Sequence, residues 1–214
     1  MLRRTVCSML VAFAATTQAQ IGRQRPVQPS GPDYWVGLSV GYLDGASLSD
    51  DATGALWRFG YSTVLRGTFE KTIARGTTVG LAAGFATAPL TYEGGSSSGA
   101  CGFGCRADAD IAQYTVFIRA GGGPGFHVLF NGEGGVTQFS KFREHATEVS
   151  LPPKDSGYDT TLGFGAGFSY GFSSITDAYV EQMTDFVLHR QSSDAINQSA
   201  PRLYSFRGGF RIGF

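Results

Sequence analysis

The chain has 214 residues, enough for one domain with an interior of its own. Its 17 basic residues balance 17 acidic ones, which excludes the basic excess of a nucleic-acid binder and the acidic run of a solvating tail. Thirty-one glycines, 13% aromatic residues and only 16% charged residues, with no repeat period, argue for strands and tight turns rather than helices.

The first residues read as a secretory signal. Arg3 and Arg4 open it, Ser8 to Ala15 is apolar, and Thr17-Gln18-Ala19 is a small-x-small site, so cleavage after Ala19 is expected and residues 1–19 are assigned to the signal peptide. The apolar run is too short to cross a bilayer as a helix. Cys7 lies close to Arg4 without a small apolar tetrad before it, and it is not read as a lipidation site. Without Arg3 and Arg4 the mature chain keeps 15 basic and 17 acidic residues. Residues 20–32 are polar and proline-bearing, a flexible lead-in, and no later run of apolar residues is long enough for a transmembrane helix.

From residue 33 to 214 the pattern changes to period-2 segments separated by turn residues. The first strand is expected over 34–43, with Tyr34, Val36, Leu38, Val40 and Tyr42 on one face. The second, 56–73, sets Phe59, Tyr61, Leu65 and Phe69 against Arg58, Ser62, Arg66, Thr68 and Glu70. The third, 77–90, opposes Val79, Leu81 and Phe85 to small residues. The fourth, 109–121, opposes Tyr114, Val116 and Ile118 to Gln113, Thr115 and Arg119. The fifth, 125–142, places Phe126, Val128, Phe130 and Val136 opposite His127, Asn131 and Glu133. The sixth, 158–172, alternates Leu162, Phe164, Ala166, Phe168 and Tyr170 with glycines and Ser169. The seventh, 177–189, places Val180, Thr184, Phe186 and Leu188 opposite Tyr179, Glu181, Met183 and Asp185, with Gln182 breaking the pattern. The eighth, 203–214, sets Tyr204, Phe206, Phe210, Ile212 and Phe214 against Ser205, Arg207, Gly209 and Arg211.

Connections after the even-numbered strands are short and those after the odd-numbered ones are long and polar. That alternation belongs to outer-membrane barrels, whose periplasmic turns are short and outer loops long, and an even strand number puts both termini on the periplasmic side. The faces decide the environment. Arg66, Glu70, Arg119, Glu133, Glu181, Arg207 and Arg211 share a face with small residues, which suits the narrow interior of an eight-stranded barrel. Turned toward lipid, each arginine near the midplane would cost about 2–4 kcal/mol. The expected fold is therefore all-β: an eight-stranded antiparallel up-and-down transmembrane barrel, closed because an open edge would leave backbone groups unpaired in lipid.

The signal peptide, the eight alternating segments and the closing run Tyr204–Phe214 resemble the OmpA-like and OmpX-like small outer-membrane β-barrel families over residues 33–214. The resemblance implies that the terminal strand, with Tyr204, Phe210, Ile212 and Phe214, is the signal read by the barrel-assembly machinery during insertion. It also implies an envelope-structural or surface-adhesion role through four outer loops, with outer-membrane lipid and lipopolysaccharide as surroundings. No peptidoglycan-binding segment follows Phe214, so that anchoring role is not implied.

Three sets of residues bear on chemistry. The seven inward charges are expected to pair with one another and plug a polar lumen, because buried ions need partners. Cys101 and Cys105, four residues apart in an exported chain, are a candidate disulfide; no second Cys or His pair suggests a metal. His189, with Ser192 and Ser193 beyond it, is the one candidate for an alternative, a lipid-modifying enzyme resembling the lipid A deacylases. The spacing departs from a His-x-Ser pair and strand eight has no acid, so the principal expectation is a non-enzymatic protein. His145 lacks companion spacing for a palmitoyltransferase, Asp44, Asp50 and Asp51 lack a calcium-loop pattern, and the run 121–125 is a turn rather than a phosphate cradle. No cofactor and no nucleic-acid partner is expected.

Overall fold

A computed structural model describes residues 31–44, 47–50, 55–94, 101, 104–151, 157–190, 198–199 and 202–214. The expected signal peptide, and the lead-in as far as residue 30, lie outside the described residues. Within 31–214 the strands are β1 (Tyr34–Asp44), β2 (Ser47–Asp50), β3 (Ala55–Phe59), β4 (Ser62–Ala74), β5 (Thr77–Glu93), β6 (Cys105–Ala120), β7 (Gly125–Glu144), β8 (Tyr158–Gly171), β9 (Thr176–Arg190), β10 (Gln198–Ser199) and β11 (Arg202–Gly213).

Eight of them close a ring. Antiparallel neighbours run β1–β4–β5–β6–β7–β8–β9–β11, and β11 pairs back onto β1 from Trp35↔Gly213 to Asp44↔Tyr204. Backbone bonds between Tyr34 and Phe214, at 3.1 and 2.9 Å, finish the seam. One end of the barrel carries the two-residue turn Arg75-Gly76, the segments 121–124 and 172–175, and both described termini. We call this the turn end and the other the loop end. The expected eight-stranded antiparallel barrel is the fold observed.

The second expected strand differs in detail. It is two strands, β4 and β3, interrupted at Gly60-Tyr61, where the Gly60 N–H donates to the Pro89 carbonyl at 2.7 Å. The interruption reverses the facing. In β4 the even-numbered residues from Ser62 to Glu70 are buried, while in β3 Ala55, Trp57 and Phe59 are buried and Arg58 is exposed. Phe59 therefore points inward and Arg58 outward, the reverse of the sequence expectation, because an unbroken period of 2 was carried across a glycine where the ladder breaks. Beyond β3, the expected first loop folds back as β2 against it, with Leu48↔Trp57 in register. The fourth loop likewise contributes the short β10, paired with β9.

Sidedness changes with height. Toward the turn end the outer surface is apolar: Val36, Leu38, Phe69, Leu81, Val116, Phe130, Phe168, Phe210 and Ile212 are all about half exposed or more. Inside at that level lie charged and hydroxyl side chains. Toward the loop end the arrangement inverts. Thr87, Thr91, Arg106 and Lys141 face out, while Leu43, Leu48, Trp57, Phe59, Tyr92, Phe142, Leu151 and Leu203 fill the interior. Trp57 meets Phe142 with ring centroids 4.5 Å apart, and Phe59 meets Phe139 at 5.4 Å. The lumen is thus polar through only part of its depth. The physical reason is that the longer strands, 17 residues in β5 and 20 in β7, exceed the roughly 9–11 residues that a tilted strand needs to cross a bilayer. Their outer portions obey the burial rule of a protein in water.

Candidate functional site

The inward face of the turn-side half is built by period-2 alternation on five strands. Arg66 and Glu70 come from β4, Arg119 from β6, Glu133 from β7, Asp177, Glu181 and Asp185 from β9, and Arg207 and Arg211 from β11. All are buried. Room for them comes from small residues on the same face: Gly163 on β8 lies opposite both Glu133 and Asp185.

Eight of these groups form one alternating chain of charge. Arg211 donates to Asp177 through Nε and Nη2 at 2.9 and 2.5 Å, and through Nη1 to Glu70 at 3.1 Å. Glu70 accepts from Arg119 at 2.6 Å, and also from the hydroxyls of Thr78 at 2.6 Å and Thr68 at 3.2 Å. Arg119 reaches Glu181 at 3.5 Å. Glu181 accepts from Arg207 Nε at 2.7 Å and from the Asn131 amide at 3.2 Å. Arg207 lies 3.6 Å from Glu133, and Glu133 is held by both terminal nitrogens of Arg66, whose Nη2 also donates to Thr115 at 3.1 Å. The order is Asp177–Arg211–Glu70–Arg119–Glu181–Arg207–Glu133–Arg66. Aromatic faces back the cations: Trp35 lies 4.7 Å from the Arg211 guanidinium, and Tyr179 and Phe117 lie 4.5 and 5.2 Å from that of Arg119.

Seven members of this ladder are the inward charges singled out in the sequence, and the structure brings all seven into it. Asp177 was missed. It stands at the first turn of β9, but the spacing 177, 179, 181 from Tyr179 and Glu181 places it on their face, and that signal was available. Asp185 continues the same face. Its carboxylate is buried beside the Gln113 side chain, one carboxylate beyond the four that pair with the arginines among the described residues. A methyl group at Gly163 would collide with it and come within 3.0 Å of the Glu133 side chain.

By sequence the chain matches no family model and no curated protein. By fold it is similar to solved structures. Neisserial surface protein A superposes with a TM-score of 0.55 over 86% of this chain and 99% of that one, at 9% identity. The outer membrane protein OprG from Pseudomonas aeruginosa gives 0.52 over 88% and 100%, at 16% identity. The fold is that of the small eight-stranded outer-membrane β-barrels. At such identities the likeness carries architecture alone.

In an outer-membrane barrel of this size the interior is just filled by side chains, and the ladder and the apolar cluster fill it here. Cys101 and Cys105 are joined in a disulfide with Cα atoms 5.3 Å apart, beside the loop-end cluster. His189 lies in β9 opposite Ser199. Its side chain, and Ser192, Ser193 and Asp194, are outside the described residues. His145 bonds Asp108 through Nδ1 at 2.8 Å, and among the described residues no serine hydroxyl is bonded to that imidazole. No group of three potential metal ligands occurs among the described residues.

Proposed function

We propose that the chain is a non-enzymatic protein of the bacterial outer membrane. Residues 1–19 direct export and are removed, residues 20–32 lead in, and residues 33–214 insert as the barrel with both termini in the periplasm. The four outer connections face the exterior, where the protein serves envelope structure or contacts molecules at the cell surface. The seven predicted inward charges, joined by Asp177, act as a plug rather than a pore.

One observation carries this reading: around the turn-side half, large apolar side chains point out while four arginines are buried inside, each ion-paired. In water that arrangement exposes the wrong face. In a bilayer it is the favourable one, since an outward arginine at midplane costs about 2–4 kcal/mol. The short turns and long loops support the orientation. The outward Tyr204, Phe210, Ile212 and Phe214 support a role for the last strand as the signal for the assembly machinery.

The test is labelling of single-cysteine variants in intact cells with a membrane-impermeant maleimide. Arg75→Cys, at the turn end, is expected to stay unlabelled until the outer membrane is permeabilised, and Glu148→Cys, at the loop end, to label at once. The opposite result would sink the orientation. Release of an acyl chain from lipopolysaccharide, absent with His189→Ala, would overturn the non-enzymatic assignment.

A further inference from the structure

Gln182 breaks the alternation of its strand, and neither the ladder nor the apolar cluster uses it. The outward side chains of β9 run Ala178, Val180, Gln182, Thr184, Phe186 and Leu188 from the turn end to the loop end, while Tyr179, Glu181, Met183 and Asp185 face in. The Gln182 side chain is exposed, and its amide has no hydrogen bond among the described residues. Register sets its neighbours. Ala166 on β8 and Phe206 on β11 pair with Gln182, and Gly208 pairs with Val180 one step toward the turn end. Apart from Thr184, apolar residues lie above it, below it and on both flanks. The amide is therefore set inside the lipid-facing belt, away from either rim.

A primary amide carries two N–H donors and a carbonyl acceptor. Hydrocarbon satisfies neither, and a polar side chain held in it is stabilised by a hydrogen bond from another spanning segment. The barrel's own wall is poorly placed to give one, because closure already engages the backbone groups of β8, β9 and β11 in the ladder. Beside the amide the wall is also shallow. Ala166 and Gly208 stand at its two sides among phenylalanines. A Cβ added at Gly208 would meet the Tyr179 carbonyl and Val180 Cγ1, both at 3.7 Å, which is ordinary contact. Two convex barrels touch along a narrow strip, and small residues on that strip let their walls approach closely.

We propose that the β8–β9–β11 wall is the contact of a symmetric dimer in which Gln182 of one copy bonds Gln182 of a second. The inference rests on the outer-membrane reading above. The occupant follows from chemistry and depth. The amide is self-complementary: an N–H of each donates to the carbonyl oxygen of the other, giving two reciprocal bonds. A twofold axis along the membrane normal keeps both barrels upright and equally deep, so the second copy presents the matching group at the same level. The same axis lays β8 of one copy along β11 of the other, with Ala166 against Gly208. A lipid chain would fill the notch and leave the amide unbonded.

The test is energy transfer between donor- and acceptor-labelled protein in phosphatidylcholine vesicles, followed as lipid is added. The dyes sit on Arg75→Cys at the turn end, since Cys101 and Cys105 are joined and do not take a maleimide. The chain otherwise unaltered is expected to give transfer above random mixing, lost on dilution with lipid. Gln182→Leu and Gly208→Leu each weaken association about tenfold. Gly67→Leu, on β4 beyond β11 and β1, where a Cβ meets nothing within 4 Å, leaves it unchanged. Unaltered association in either Gln182→Leu or Gly208→Leu overturns the proposal, as does an equal loss in Gly67→Leu. So does a parent chain that stays monomeric, with or without a lipid retained at the notch. Unboiled and boiled samples of every variant are run on a denaturing gel in parallel, where each is expected to shift as a folded barrel. A parent chain that fails to shift defeats the barrel reading itself, whereas a shifting barrel that does not associate defeats only this inference.

Discussion

Each side chain in the ladder has a different exposure to loss. Glu70 sits at its branch point, touching two arginines and two threonines. Glu70→Ala leaves two buried guanidinium groups short of a counter-charge and is expected to cost about 3–5 kcal/mol, read as a lowered urea midpoint of the barrel in lipid vesicles. Asp185 is the opposite case. Its carboxylate lies beside Gln113 and forms no ion pair among the described residues, while Arg66 and Arg207 have counter-ions in Glu133 and Glu181, so Asp185→Asn removes a buried charge without orphaning another, and the midpoint is expected to stay or rise. A drop as large as that of Glu70→Ala would show that Asp185 is engaged after all. The sequence period reaches the inward charges because a strand's alternation is local. It says nothing of pairing, since Arg211 meets Glu70 across 141 positions of chain and only register makes them neighbours. Nor could it show that Asp185 would be left over, which depends on where all four guanidinium groups are spent.

Turns and edges impose their own constraints on the elements. Gly121 leaves β6 with φ +97°, and a Cβ there would run into the Val128 carbonyl. Gly121→Ala is therefore expected to lower stability by more than about 1 kcal/mol, again measured by urea unfolding, with a much smaller effect at Gly67, where φ is ordinary and space is open. The Cys101–Cys105 bridge closes a loop of a few residues, worth about 2 kcal/mol at most in the chain-entropy account. Reduced samples should then still migrate as folded barrels when unboiled. Strand ends were readable within about three residues, apart from the start of β6, where the acidic stretch before Ala109 resembles a loop but forms strand. The reversal at Gly60-Tyr61 was not readable. Phe59 and Tyr61 have the same parity and both are aromatic, and only the break in the ladder shows that one faces in and the other out.

At the level of the entire molecule, the closed ring and the filled interior predict an inert conductor. Reconstituted in a planar bilayer, the protein is expected to give no stepwise ion current, because the ladder occludes one half and Trp57, Phe59, Phe139 and Phe142 the other. Regular current steps would mean that one of these layers opens. Architecture was legible in composition and alternation because a barrel strand repeats one instruction eight times. The inversion at the loop end was not: Asp108 looks like a loop residue, and nothing in the expected third and fourth strands shows that Thr87 and Asp110, which they contain, lie where the two faces exchange polarity.

That inversion sets a height. If about ten residues of β7 cross the hydrocarbon, the other half of its 20 stand clear of it, and at about 3.3 Å of rise per residue and barrel tilt this makes a rigid collar on the order of 25 Å tall. Contacts made by the tip would then be presented from a stiff pedestal, beyond the inner sugars of the surrounding lipids, and a binding partner need not penetrate that coat to find them.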